Sequence, residues 1–261
     1  MIYPTPWTGI GTALFVYLAR VGTLARQRSL IKNLCVLGKS EGVQDQLKTD
    51  LVESARDTEA TLLSFQIPEK NRVEDAGDPS TPVTHLQQLA QVYRLSALLE
   101  LYRNFPDLLN AQHGATSDES PTARKILALT TSILTIIATI PQISGVNCLV
   151  TLPLIIAGSS LQSTVEPSLR QIKSGETSWD ILSDDIVSLS SQEDAQLYWR
   201  GFVRSRLQAT RGYVGIATIS MAIEIVEKVW TRCDVLALSL PVDFVQWIDI
   251  MKDEKLEAIF G

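Results

Sequence analysis

The chain has 261 residues, of which 45% are hydrophobic, and its formal net charge is −6. This length allows one large domain or two small ones, and the apolar content is sufficient for a sizeable buried core. The acidic balance argues against direct binding to nucleic acid, because duplex binding needs dense Lys and Arg against the phosphates.

Three long helices are predicted in the first half of the chain. Apolar residues recur at helical spacing over residues 13–37, and Gly38 is a suitable helix end. Residues 41–65 show the clearest helical period, with a charged opposite face that suits solvent. A third helix, residues 83–105, is apolar on more than one side and must be covered widely. The polar loop before it, residues 68–82, is therefore assigned to the same domain.

The most hydrophobic part of the chain is the stretch 126–165, which has no charged side chain. A membrane span needs about 20 uninterrupted apolar residues, but Pro141 and Pro153 interrupt this stretch, with a turn composition between them. We therefore expect a buried pair of helices and no membrane insertion. Thr131 and Thr135 would anchor an apolar ligand if they faced a cavity. The alternative is that their hydroxyls bond to carbonyls of their own helix.

The last third of the chain combines a polar excursion with further helices. The excursion, at about residues 166–194, is rich in Ser and Asp and contains one short amphipathic segment. Helices are predicted at residues 192–208, 216–233 and 248–260. No segment alternates apolar and polar residues as a strand would. The sequence thus predicts an all-α fold: a single domain, residues 1–261, of about eight helices around the buried central helical pair.

Residues suited to catalysis are few, since the chain has two histidines. His85 is the candidate acid or base, with Tyr93 and Tyr102 further along the same helix. The alternative for His85 is ordinary packing at the solvent edge of the core. His113 lies in a polar loop and is expected to be solvated.

The charged helix at 192–208 offers a candidate binding surface. Tyr198, Trp199, Arg200 and Arg204 suit an anion or a planar ligand, and the alternative is a solvated arginine face. The three cysteines are far apart and lack metal-binding spacing. We therefore expect no metal and no cofactor, and an intracellular, reducing location for the buried thiols.

Several stretches, in this order, resemble the fungal-specific transcription factor domain, a helical regulatory region that usually follows a zinc binuclear cluster. They are WTGIGTALFVYLARVGTLAR, LSALLELYRNFPDLL, LPLIIAGSS, YWRGFVRSRLQ, AIEIVEKVWTRCD and VDFVQWIDIMKDEKLEAIF. The resemblance covers most of the chain. The six-cysteine DNA-binding module of the family and its basic linker are absent from this sequence, and the polar excursion is longer than the family usually has.

Two hypotheses follow from the resemblance and the composition. In the first, the chain is a regulatory domain in the nucleus that controls metabolic or specialised-metabolite genes, such as those of a biosynthetic gene cluster. It would act through a protein partner or a small hydrophobic ligand, and a homodimer is one of the assemblies considered. In the second, it is a cytoplasmic enzyme of specialised metabolism, a non-redox cyclase, isomerase or dehydratase on the same fold. The absence of a secretory signal argues against secretion in both cases.

Overall fold

The computed structural model describes residues 1–36, 41–75, 77–110, 121–162, 183–212, 215–236 and 244–256. Within these ranges the regular structure is helical, apart from isolated bridges. The helices are α1 (Thr12–Val36), α2 (Glu41–Ser64), α3 (Val83–Asn104), α4 (Asp107–Asn110), α5 (Pro121–Thr139), α6 (Thr151–Gly158), α7 (Ser183–Ala209), α8 (Ile216–Leu236) and α9 (Trp247–Asp253). The predicted all-α class is confirmed.

Some helix bounds differ from those that the sequence predicted. Helix α5 begins at Pro121, five residues before the uncharged stretch, because proline suits the first position of a helix. Helix α7 begins at Ser183, so the last part of the predicted excursion is helical. The earlier part of that excursion, residues 166–182, lies outside the described residues. Loop residue His113 also lies outside them. Pro153 falls in the first turn of α6, where its missing N–H costs no helical hydrogen bond.

The chain divides into two compact units, Met1–Pro153 and Leu154–Gly261. In the first unit α3 is the central element, and it packs against α1, α2 and α5. This agrees with the broad apolar surface of α3, which is buried along most of its length. The prediction of a single domain over the whole chain stays a prediction.

The start of the N-terminal segment is fixed by backbone hydrogen bonds to residues 72–74. The Ile2 N–H donates to the Arg72 carbonyl (2.7 Å), and the Glu74 N–H donates to the Ile2 carbonyl (2.8 Å). The turn before α1 then approaches α3 closely: Gly9 has φ +56°, and a Cβ there would lie 3.0 Å from Cδ2 of Leu86. Glycine is favoured at this position both for its backbone conformation and for its small size.

In the second unit, α7 and α8 pack against each other, and α9 packs against α8. The helices α7 and α8 run in opposite directions, since Arg200 contacts Asp234 while Arg204 contacts Glu227. The approach to α9 is held by Gln162, whose amide donates to the Val245 carbonyl (2.7 Å) and accepts from the Val245 N–H (3.0 Å).

The uncharged central stretch is not buried uniformly. Most residues of α6 are buried, including Leu154 and Ile155, which have no exposed surface. Helix α5 packs against α3 and α4 through one face and exposes the other, where Leu127 is 44% exposed. The expectation of a buried helix is therefore correct for α6 and holds for one face of α5.

Candidate functional site

His85 lies in the first turn of α3 and contacts the turn that follows α5. Its Nδ1 atom lies 2.8 Å from the Oγ atom of Ser144, which directly precedes the short 3-10 helix Gly145–Leu149. Ser144 is buried and His85 is half-buried. A hydroxyl and an imidazole at this distance can exchange a proton, and the same contact also fixes the start of α3 against the loop.

Tyr93 is engaged on both its ring and its hydroxyl group. The ring stacks on Phe15 of α1 with centroids 3.8 Å apart and an interplanar angle of 21°. The hydroxyl donates to the Leu149 carbonyl at 2.8 Å. Burial raises the pKa of Tyr93 well above its ordinary value, because desolvation disfavours the phenolate. Tyr93 is thus a neutral donor to the backbone.

Tyr102 faces a different neighbour. Its hydroxyl donates to Oε1 of Glu59 on α2 at 2.7 Å, and both side chains are buried. Burial, followed by the hydrogen bond to the Glu59 carboxylate, raises the pKa of Tyr102. Nine residues separate Tyr93 from Tyr102, which at about 100° per residue places them on opposite sides of α3. The structure does not bring His85, Tyr93 and Tyr102 into one site.

The candidate threonines of α5 lie beside its buried face and not within it. Thr131 is partly exposed and Thr135 is exposed, since each is rotated about 100° from its buried neighbour, Thr130 or Leu134. Thr130 is fully buried, and its hydroxyl makes no hydrogen bond in the described structure. The sequence also marked Thr130 as a possible polar anchor, and among Thr130, Thr131 and Thr135 it is the one whose side chain is fully buried.

The arginine candidates of α7 form ion pairs within the second unit. The guanidinium of Arg200 donates to both carboxylate oxygens of Asp234 (2.8 and 3.0 Å) and to the Leu161 carbonyl (2.9 and 3.0 Å). Arg204 donates to Oε1 of Glu227 at 2.8 Å. The charges that were expected to bind an anion are thus neutralised by carboxylates of α8.

An aromatic residue of α8 lies between these arginines. The guanidinium carbons of Arg200 and Arg204 lie 5.2 and 5.7 Å from the ring centroid of Trp230, within the range of cation–π attraction. The indole N–H donates to the Gly158 carbonyl at 2.8 Å. This carbonyl, at the C-terminal end of α6, also accepts from the Leu161 N–H at 3.1 Å.

The aromatic candidates of α7 lie on its outer side. Tyr198 is 65% exposed, and its ring meets that of Trp199 edge to face, with centroids 5.1 Å apart. Trp199 in turn meets Phe202 edge to face at 5.5 Å. The sequence therefore identified an aromatic surface on α7, but Arg200 points away from it toward α8.

A buried charge pair near the end of α3 was not predicted from the sequence. Nη1 of Arg103 lies 3.6 Å from Oε2 of Glu100, and at most 3% of either side chain is exposed. The Asn104 amide donates to Oε1 of Glu100 at 3.0 Å, and the Arg28 guanidinium donates to the Asn104 carbonyl. Burial lowers the pKa of Arg103. The sequence feature that could have predicted this pair is the presence of charged residues in an otherwise apolar helix, since such residues are rarely buried without partners.

Among the residues that the structure describes, no group of three or more His, Cys, Asp or Glu side chains is placed to hold a metal ion. By length and composition alone, the segment Thr122–Thr139 of α5 meets the requirement for crossing a membrane. Core helices meet the same requirement, and 39% of this segment is buried.

The family model of the fungal specific transcription factor domain matches residues 1–261, which is the whole chain. No curated protein and no solved structure matches the chain.

Proposed function

The chain belongs to the fungal-specific transcription factor domain family, which gives it a regulatory role, and we propose that it acts through a protein partner or a small apolar ligand. DNA contact is then made by another module, and the nucleus is the site of action. Genes of fungal metabolism, including specialised metabolism, are the proposed targets.

One observation carries this proposal: the candidate polar side chains are bonded within their own helical units. Tyr93, Tyr102, Arg200 and Arg204 each bond to a backbone carbonyl or a carboxylate of a neighbouring element. Such groups stabilise the packing of helices. This use of polar residues suits a domain whose surfaces are recognised by protein partners.

The surface charge of α2 supports a protein partner more than direct DNA contact. Acidic residues outnumber basic ones on its exposed face. The exposed charged residues there are Asp45, Lys48, Asp50, Glu53, Arg56 and Asp57. Such a face repels phosphates and suits a basic protein surface. At physiological salt we expect the isolated chain to bind duplex DNA no better than an acidic control protein. Tight, sequence-specific binding by this chain alone would contradict the proposal.

A second candidate function rests on the contact between His85 and Ser144. A half-buried imidazole 2.8 Å from a buried hydroxyl is an arrangement that acid–base enzymes use. On this alternative the chain is a non-redox cyclase, isomerase or dehydratase for a hydrophobic substrate, with His85 as the proton donor.

Deletion of the gene, with transcripts and metabolites measured together, separates the two functions. The regulatory proposal predicts that transcripts of target genes change and that His85→Gln restores them as well as the wild type does. Under the enzyme alternative, transcripts stay unchanged and an intermediate accumulates both in the deletion strain and in the His85→Gln strain. That second pattern would overturn the regulatory proposal.

A further inference from the structure

The loop before α3 carries a threonine between two prolines. Its sequence is Asp78-Pro79-Ser80-Thr81-Pro82, and a Ser or Thr with proline two residues before it and one residue after it occurs once in the chain. Proline fixes its own backbone and favours an extended conformation in the residue before it. Pro82 is itself extended, with φ −62° and ψ 156°. A hydroxyl flanked by prolines at these two positions is the acceptor pattern that mitogen-activated protein kinases select.

The segment that leads to this threonine is open to solvent. Residues 77–80 are all exposed, and Thr81 is partly exposed. An exposed loop of small and polar residues is the kind of segment that enzymes acting on proteins reach most easily. Thr81 is the least exposed residue of residues 77–81 because its hydroxyl faces the turn that follows α5.

That turn lies directly against Thr81. The Gly145 N–H donates to the Ser80 carbonyl at 3.1 Å, and a Cβ at Gly145 would overlap Oγ1 of Thr81. Glycine allows this close approach because it has no side chain. The space beside the hydroxyl does not hold even a methyl group. A phosphate group on Oγ1 therefore has no room there while the turn stays in place.

The Asp78 carboxylate is a second neighbour of the Thr81 hydroxyl. Its Oδ1 atom accepts from the Ser80 hydroxyl at 2.8 Å and from the Ser80 N–H at 2.9 Å. These bonds from Ser80, and then a bond from the Thr81 side chain, lower the pKa of Asp78. Phosphorylation of Thr81 would replace a donor to this carboxylate by a group with a charge of about −2. The resulting repulsion also acts against the present loop arrangement.

Two hydrogen bonds continue the contact between α3 and the turn beyond Thr81. Nδ1 of His85 lies 2.8 Å from Oγ of Ser144, and the Gln88 amide donates to the Thr139 hydroxyl at 2.9 Å. Exposed hydrogen bonds of this kind contribute little net free energy, since water replaces them when they break. Displacement of the turn at Thr81 would therefore expose the buried Ser144 at modest cost.

We propose that Thr81 is a phosphorylation site for a mitogen-activated protein kinase, and that phosphate there releases the turn after α5 from the start of α3. In the transfer, Oγ1 of Thr81 bonds to the γ-phosphorus of ATP as the bond from that phosphorus to its bridging oxygen breaks. ADP leaves, and the hydroxyl proton passes to a base of the kinase. The kinase reaches the hydroxyl during local opening of the turn, and the phosphate then prevents reclosure. This inference is independent of the proposed regulatory function.

Kinase assays on the full chain test the modification itself. A purified, active mitogen-activated protein kinase with ATP should place phosphate on Thr81, as mapped by mass spectrometry of peptide fragments. Thr5 and Ser120 also precede a proline but lack the proline two residues earlier, so their modification should be much slower. Thr81→Ala should remove most of the incorporated phosphate. Pro79→Ala keeps the acceptor hydroxyl and should slow its modification several-fold.

Hydrogen exchange on the phosphorylated wild-type chain tests the release of the turn. Exchange of the backbone amides of residues 142–149 should become about tenfold faster or more, because the Gly145 N–H loses its acceptor when the turn opens. Exchange in α8 is the internal reference and should not change. The matched control for charge is Thr84→Glu, at an exposed position in the first turn of α3, which should leave exchange in the turn unchanged.

Gly145→Ala tests the same contact without any phosphate. Its methyl group would overlap the Thr81 hydroxyl, so this variant should also speed exchange in the turn. Adding Thr81→Ala removes the overlapping oxygen and should restore slow exchange, whereas adding Thr84→Ala should not.

Three results would overturn the proposal. One is a chain that the kinase leaves unmodified, and another is a chain that it modifies at Thr5 or Ser120 but not at Thr81. The third is complete phosphorylation of Thr81 with unchanged exchange in residues 142–149, which would show that the phosphate does not displace the turn.

Discussion

Arg200 of α7 and Asp234 of α8 form a two-pronged ion pair, with donor–acceptor distances of 2.8 and 3.0 Å. The same guanidinium also donates to the Leu161 carbonyl just after α6. One side chain therefore connects three segments of the second unit, and only 13% of it is exposed. We infer that Arg200 has a structural role here.

Arg200→Ala should destabilise the second unit by about 2 to 3 kcal/mol, because it leaves a carbonyl and a carboxylate without their charged donor. The matched control is Arg204→Ala. Its side chain is 47% exposed and its ion pair with Glu227 is screened by solvent, so its loss should cost about 0 to 1 kcal/mol. Denaturant unfolding followed by tryptophan fluorescence measures both. Equal losses for the two variants would show that Arg200 is not the connecting residue.

Substitution by alanine at two helical glycines should change the stability of the protein in opposite directions. A Cβ at Gly158 would lie 2.9 Å from Cγ1 of Val203 and 3.2 Å from Cγ1 of Val226, whereas a Cβ at Gly201 meets nothing within 4 Å. Gly158→Ala should therefore cost about 1 to 3 kcal/mol through overpacking. Gly201→Ala should stabilise α7 by about 0.5 to 1 kcal/mol through helix propensity. Thermal unfolding of the two variants gives the signs, and stabilisation by Gly158→Ala would contradict the close packing of α6.

Tyr102 and Glu59 should show a measurable coupling. Tyr102→Phe removes the hydroxyl that donates to the buried Glu59 carboxylate and should cost about 1 to 3 kcal/mol. With Glu59→Leu already present, the same change should cost much less, because no carboxylate is left without a donor. A double-mutant cycle on the free energy of unfolding measures this difference. Additive effects would mean that the hydrogen bond contributes nothing beyond its separate parts.

Stability should fall in alkaline solution because of the buried tyrosines. The folded-state pKa values of Tyr93 and Tyr102 are raised, so the unfolded chain loses these protons first. Their contribution is complete below the ordinary tyrosine pKa of about 10 and declines as the pH rises above it. Each tyrosine adds at most about 1 to 2 kcal/mol per pH unit to the decline. A double variant with phenylalanine at both positions should show a shallower decline, and an unchanged slope would refute this origin.

The helices that the sequence predicted well are those with a strong apolar period. The predicted ranges 13–37, 41–65 and 83–105 differ from α1, α2 and α3 by one residue at each end or less. For α8 the start was predicted at its observed residue, and the end is Leu236 instead of residue 233. Periodicity is a local property, so it predicts such elements without knowledge of the fold.

Relationships between distant residues could not be predicted in this way. Helical spacing placed Tyr93 and Tyr102 on one helix, but their different partners, Leu149 and Glu59, depend on how α3 packs. Likewise Arg200 was recognised as a charged residue, while its pairing with Asp234 depends on the antiparallel packing of α7 and α8. A single sequence carries no direct signal for such contacts, since they join residues far apart in the chain.

The regulatory role is tested most directly by tethering the whole chain to an unrelated DNA-binding module in a fungal cell. The measurement is the transcript level of a reporter gene that carries the binding site of that module. We predict that the fusion changes reporter transcription several-fold relative to the module alone, and that the surface variant Gly201→Ala keeps this effect. A folded, abundant, nuclear fusion that leaves the reporter transcript unchanged would contradict the account.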